Sequence, residues 1–269
     1  MGSAPATRPP MQAPAWQAVG RADQDLPSWV AQHLEHGLTV SSGKVDVQQC
    51  TGADLEQRAH QLYRHVLGAL KAPPTRVWTF LPGITSACPD GLDRYMHLNI
   101  GRARAYQDAN PGWGAMPAGT CVGHQGPLLV IHAVAAGPGW TPLENPRQRP
   151  AWEYSQRFGP VAPPFSRGVR VGQFIWASGT ASVVGESTVH PGNMEAQWAE
   201  TVANLEALRS SAGATGRWQS LRAYVRDASS MALVSQLGRA AFGEELREIV
   251  HASLCRADLL VEVEGIAHV

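Results

Sequence analysis

Apolar positions fall into two spacings along the chain. Residues 38–47, LTVSSGKVDV, alternate like a half-buried strand. Over 54–70 the apolar residues Leu55, Leu62, Val66 and Leu70 recur at helical spacing, with Asp54 placed to start the helix. RVWTFLPGI (76–84) predicts a strand stopped by Pro-Gly, 91–108 a helix despite Gly101, and PLLVIHAVAA (127–136) a buried strand.

After a Pro-rich stretch the same order returns. Residues 169–184 predict a strand pair and 193–213 a helix, with Asn193 as N-cap and Gly213 as stop. Residues 220–228 predict a strand and 231–243 a helix. Residues 247–255 and 259–267 are expected to pair as a hairpin across Arg256-Ala257-Asp258. Each half therefore reads strand, helix, strand, helix, strand, a duplication of architecture rather than of residues. The expected organisation is a flexible arm (1–35), an N-terminal subdomain (36–136), a connector contributing to the site (137–168) and a C-terminal subdomain (169–269). This is an α/β (α+β) chain in which each half forms a mixed sheet covered on one face by two helices. The bare sheet faces need a partner, either the other half or another chain, and a small-molecule pocket is expected where the halves meet.

Composition narrows the function. With 22 basic and 22 acidic residues the formal net charge is zero, so no global field points to nucleic acid or a membrane. Cys50, Cys88, Cys121 and Cys255 lie far apart without a CxxC pair, which argues against a zinc site and a disulfide framework. The histidines show no metal-ligand spacing, SGTAS (178–182) lacks the context of a nucleophile elbow, and the glycines form no phosphate loop. The N-terminus has no apolar core of a secretory signal, and the longest apolar run, Leu128 to Ala136, is too short to span a bilayer. A cytoplasmic protein is expected.

Glu262 and Glu264 lie two apart on an otherwise apolar strand, hence on one face. Either that face meets water or the carboxyls are partnered or protonated there.

The pieces FIWASGT, AQWAETVANLEAL and VEVEGIA resemble the RidA/YjgF (chorismate-mutase-like) family over about 100 residues. A narrower resemblance spans roughly residues 75–267. LPGI, GLDRYMHLNIGR, ENPRQ, FSRG, SGTASVVGESTVHPG and CRADLLVEVEG stand in the order seen in FkbO-like chorismatases, which cleave the enolpyruvyl ether of chorismate. The chain departs from that pattern at Glu186, where a His usually follows the glycine, and at His132, where an aromatic hydroxyl is expected.

The resemblance implies two tandem RidA-like subdomains acting on chorismate with no metal or organic cofactor. It makes Glu262 the general acid, with Glu264 orienting it or raising its pKa by like-charge repulsion. Arg94, Tyr95, Arg102, Arg147 and Arg167 become candidate substrate ligands, because guanidinium forks match carboxylates. Arg94 and Arg102 lie eight residues apart on a helical segment, so both are expected on roughly one side. Arg247 falls where RidA-type imine deaminases place a carboxylate-binding arginine. Gly168 and Cys255 match the branch that forms 3-hydroxybenzoate rather than the hydrolase branch that forms a dihydroxycyclohexadiene carboxylate. An imine deaminase and a non-catalytic binder remain alternatives, as do a homotrimer and a monomer with internal pseudo-symmetry.

Overall fold

The computed structural model describes residues 25–33, 37–109 and 115–269. Most of the expected arm lies outside these residues. Its described end contradicts a loose arm, because α1 (Ser28–His33) buries Trp29 and Val30 in the central core. The first half continues with β1 (Thr39–Asp46), α2 (Gly52–Gly68), β2 (Arg76–Phe80), α3 (Arg94–Ala109), β3 (Ala118–Val122) and β4 (Leu128–Ala135). Its strands form a sheet in the order β1-β4-β2-β3. Asp54 does start α2, as the third residue of a capping box in which Thr51 and Asp54 satisfy each other's backbone amides.

The second half carries β5 (Thr141–Leu143), β6 (Gly168–Val171), β7 (Phe174–Ala181) and the small pair β8 (Val183–Val184) and β9 (Ser187–Thr188). These are followed by α4 (Met194–Ser211), β10 (Trp218–Val225), α5 (Met231–Phe242), β11 (Leu246–His251) and β12 (Val261–His268). The larger sheet runs β11-β10-β12-β7-β6-β5. Asn193 caps α4, its side chain accepting from the Ala196 amide at 3.0 Å. The connector is partly sheet, since β5 pairs with β6.

The duplication is closer than the sequence suggests. Strands β7, β12, β10 and β11 repeat the order of β1, β4, β2 and β3, with the same succession of antiparallel, antiparallel and parallel pairing. The expected hairpin between 247–255 and 259–267 is therefore wrong. The chain leaves β10, crosses through α5 and returns as β11 parallel to β10, so β10 separates β11 from β12.

Three cores result. One lies between α2–α3 and the first sheet, and one between α4–α5 and the second. The third lies between the bare faces of the two sheets, where Trp29 meets Trp78 of the first half and Trp176 of the second at centroid separations of 5.8 and 5.6 Å. No described helix is long and apolar enough to cross a membrane.

Candidate active site

Strand alternation sends Val261, Val263 and Ala267 of β12 toward α4 and α5, and Ile266 toward the first sheet with Glu262 and Glu264. All of β12 except its last residue is buried, so the two carboxyls do not meet bulk water. Their surroundings differ sharply. Glu264 is fully buried and accepts from four donors: Arg76 Nη2 (2.5 Å), Trp78 Nε1 (2.9 Å), Thr120 Oγ1 (2.5 Å) and Tyr224 OH (2.7 Å). Three of these donors come from the first half, so Glu264 joins the halves and does not line the cavity.

Glu262 has no such escort. It is 4% exposed, and its carboxyl accepts no hydrogen bond from any described residue. It faces a cavity of about 250 Å³ at the junction of the halves, with a narrow annex of about 30 Å³ behind it. Burial first, and the neighbouring Glu264 charge second, push its pKa up to about 8 against the opposing pull of Arg76, Arg167 and Arg256. The carboxyl is thus mostly protonated at neutral pH, in a cleft whose walls carry guanidinium groups.

Of the candidate ligands, Tyr95, Arg167 and Cys255 line the main cavity, and Arg102 lines the annex with Tyr95, Cys121 and Cys255. Arg102 is 2% exposed; Nη2 donates to Asn99 Oδ1 at 2.5 Å, while its Nε is buried without a hydrogen-bond partner among the described residues. Arg167 donates from Nη2 to Tyr154 OH (2.6 Å) and the Arg149 carbonyl (2.7 Å), which fixes the guanidinium under the connector. Burial, and then the Glu262 charge, push the Cys255 thiol up to about 12, so it enters the cavity as a neutral, weakly polar group.

Four candidates stand elsewhere. Arg94 donates to the carbonyls of Pro82 (2.8 Å) and Val47 (2.9 Å), tying loops to the start of α3. A helix turns about 100° per residue, so the eight-residue step from Arg94 to Arg102 leaves them about 80° apart; Tyr95 and Arg102, seven apart, differ by only about 20°. Arg147 is held by Glu200 (2.7 Å) and Asn204 (3.0 Å) of α4, and its neighbour Gln148 reaches the cavity instead. Arg247 lies exposed on edge strand β11, its Nε donating to the Gln219 carbonyl at 3.4 Å. Gly168 points away because Arg167 points in. A Cβ on Gly168 would meet Leu208 of α4 and the Trp176 carbonyl, each at 3.1 Å, on the far face of the sheet.

The sequence reading expected the connector to contribute to the site but did not single out the residues that roof it. Residues 150–163 of the connector fold over the cavity, and Arg256 stacks on Phe158 (4.0 Å) and Tyr154 (5.2 Å) while Arg157 stacks on Phe158 (5.2 Å). The signal was present in EYSQRFGP, where arginine interleaves with aromatics, and in Arg256 directly after Cys255. Glu186, a position where the chain departs from the family pattern, anchors this roof by accepting from Ser155 Oγ (2.7 Å) and Ser155 N (3.0 Å). His132 lies off the cavity, against Phe80 and Ser42 Oγ. Among the described residues no group of three or more His, Cys, Asp or Glu side chains is placed to hold a metal ion.

Comparison with known proteins agrees with this division. Residues 14–135 match the N-terminal domain of FkbO/Hyg5-like chorismatases, and residues 155–269 match the endoribonuclease L-PSP family. A 3-hydroxybenzoate synthase of Streptomyces hygroscopicus is 31% identical over 71% of this chain and 62% of its own length. A chorismatase of Streptomyces rapamycinicus is 30% identical over 75% of this chain and 66% of its own. The chain thus spans somewhat less than two thirds of these relatives. The crystal structure of a chorismatase superposes with a TM-score of 0.74 at 28% identity, covering 85% of this chain and 74% of the other. With an FkbO/Hyg5-like half and an L-PSP-type half joined around one cavity, the chain belongs to the chorismatase family.

Proposed function

We propose that the chain cleaves the enolpyruvyl ether of chorismate to 3-hydroxybenzoate and pyruvate, with Glu262 as general acid. The observation that carries the reading is the Glu262 carboxyl, buried, without a hydrogen-bond donor and pushed up to about 8, facing an arginine-walled cavity. Ether cleavage by an acid route requires a proton on the vinylic CH2 carbon, which leaves an oxocarbenium ion. A carboxylic acid kept neutral by its surroundings can deliver that proton near neutral pH. Arg157, Arg167 and Arg256 around the cavity, and Arg102 in the annex, suit a substrate with two carboxylates.

Cys255 in the cavity wall supports the benzoate-forming branch. Hydrolysis needs a water on the oxocarbenium carbon; where that water is excluded, the substrate's own hydroxyl attacks, pyruvate leaves and the ring aromatises. Gly168 contributes to this choice only through the placement of Arg167, since it faces α4. The imine-deaminase alternative loses its arginine, because Arg247 lies on an outer strand. Both halves of one chain supply the cavity walls, which favours a site complete within a monomer over one shared in a trimer.

The test is chorismate incubated with the purified chain. An aromatic acid and one equivalent of pyruvate are expected, and Glu262→Gln should abolish both. A non-aromatic diol acid would reassign the branch, and tight binding without turnover would leave only a binding protein.

A further inference from the structure

Glu262 reaches the cavity because the adjacent strand makes room for it. Along β12 and β7, Glu262 pairs with Ala181 and Val263 with Thr180, and then the register slips so that Gly265 pairs with Ala177. Two residues of β7, Ser178 and Gly179, thus oppose the single residue Glu264, which is a β-bulge. The bulge turns its polar groups toward the first half. Gly179 N–H donates to Thr120 Oγ1 at 3.0 Å, and Ser178 Oγ accepts from the Gly119 amide at 2.9 Å. Ser178 N–H donates to the Arg167 carbonyl at 2.9 Å, so the same bulge holds the backbone of a cavity arginine.

Gly179 itself lines both the cavity and the annex, directly beneath the carboxyl. A Cβ placed there would come within 1.9 Å of Glu262 Oε1 and 2.8 Å of its Cδ. We propose that Gly179 is a positioning residue for the reaction: its missing side chain, fixed by the bulge and by Thr120, is the seat that holds the Glu262 carboxyl where cavity and annex join. The proposal rests on Glu262 being the acid. A methyl at 179 collides with the movable end of a side chain rather than with backbone, and Gly179 is not among the residues with positive φ. Gly179→Ala therefore keeps the fold and displaces the acid. Shortening the acid by one methylene withdraws the carboxyl from the space that the methyl takes.

The test uses Gly179→Ala, Glu262→Asp and the double variant, with chorismate turnover and urea unfolding measured on each. Gly179→Ala is expected to lower kcat by about 100-fold with KM little changed, the size of effect that an ångström-scale misplacement of a reacting group produces. The double variant should turn over faster than Gly179→Ala alone, a rescue that a purely structural glycine would not show. Unchanged kcat in Gly179→Ala, or a double variant as slow as the product of the two single effects, overturns the proposal. If Gly179→Ala alone fails to fold, recovery of folding and turnover in the double variant supports it, and failure of both overturns it. Full turnover by Glu262→Gln overturns the acid assignment, and the role of Gly179 with it.

Discussion

Glu262 and Glu264 are chemically alike and two residues apart, yet only Glu262 faces the cavity. Four donors hold the Glu264 carboxyl, and burial, with the Glu264 charge beside it, keeps the proton on Glu262. Two pH effects follow. If the proposed reaction runs from the Glu262 acid form, kcat should fall as pH rises through about 8, measured as pyruvate release against pH. Stability has the same sign. The unfolded carboxyl titrates near 4.5 and the folded one near 8, so between these values only the folded chain retains the proton. This contribution to stability is complete below about 4.5 and is lost toward 8, at roughly 1 kcal/mol per pH unit. Glu144, pushed by burial up to about 7, adds the same sign over the lower part of the window. Glu262→Gln should therefore flatten the dependence most clearly between pH 7 and 8, read as urea midpoints at a series of pH values.

Individual side chains of the site were legible where one strand or one helix turn decided their direction. Period-two alternation put Glu262 and Glu264 on one face, and the family resemblance singled out Glu262, Cys255 and Arg167, all of which line the cavity. Arg94 and Gly168 failed by one residue: a step of one rotates a helical side chain by about 100° and sends a strand side chain to the opposite face. Helices α2 to α5 and most strands followed from spacing and caps. Strand β3 did not, because AGTCV is short and small, although its Thr120 bridges Glu264 and Gly179. Nor did the separation of β11 from β12, since strand order is fixed by the α5 crossover rather than by any local pattern. The buried pair between β2 and β12 also depends on long-range assembly, and it carries a stability prediction. Arg76 and Glu264 are both fully buried, and Arg76 Nε and Nη1 have no hydrogen-bond partner among the described residues. Arg76→Met leaves a carboxylate buried without its counter-charge and should cost about 3–5 kcal/mol. Arg76→Met with Glu264→Gln removes both charges and should recover much of that loss in urea unfolding, giving a coupling well above that of a surface pair.

At the scale of the whole chain, the cavity exists only while the two halves hold one relative position. Tyr95, Arg102 and Cys121 come from the first half, and Glu262, Cys255 and Gly179 from the second. Halves joined by a small polar interface move independently, whereas a large apolar interface locks them. Here the interface is apolar, and Trp29 sits in it against Trp78 and Trp176. The segment around it is fastened to the second half as well. Arg222 Nη1 donates to the Asp25 carbonyl at 3.0 Å, and the Ser28 amide donates to Glu248 Oε1 at 2.8 Å. Sequence spacing offered no hint of this, because a six-residue helix carries too few apolar positions to show a period. Trp29→Ala removes a large ring from a site closed on both sides by sheets, and the space cannot collapse without moving a sheet. The expected cost is about 3–5 kcal/mol. Because both halves lean on the same side chain, unfolding followed by tryptophan fluorescence and by circular dichroism should stay one coincident transition, shifted to lower urea. In the proposed reaction, KM for chorismate should rise in the folded variant as the cavity walls lose their register. Two separated transitions with unchanged KM would mean that each half folds and positions its own wall, and that Trp29 merely fills space.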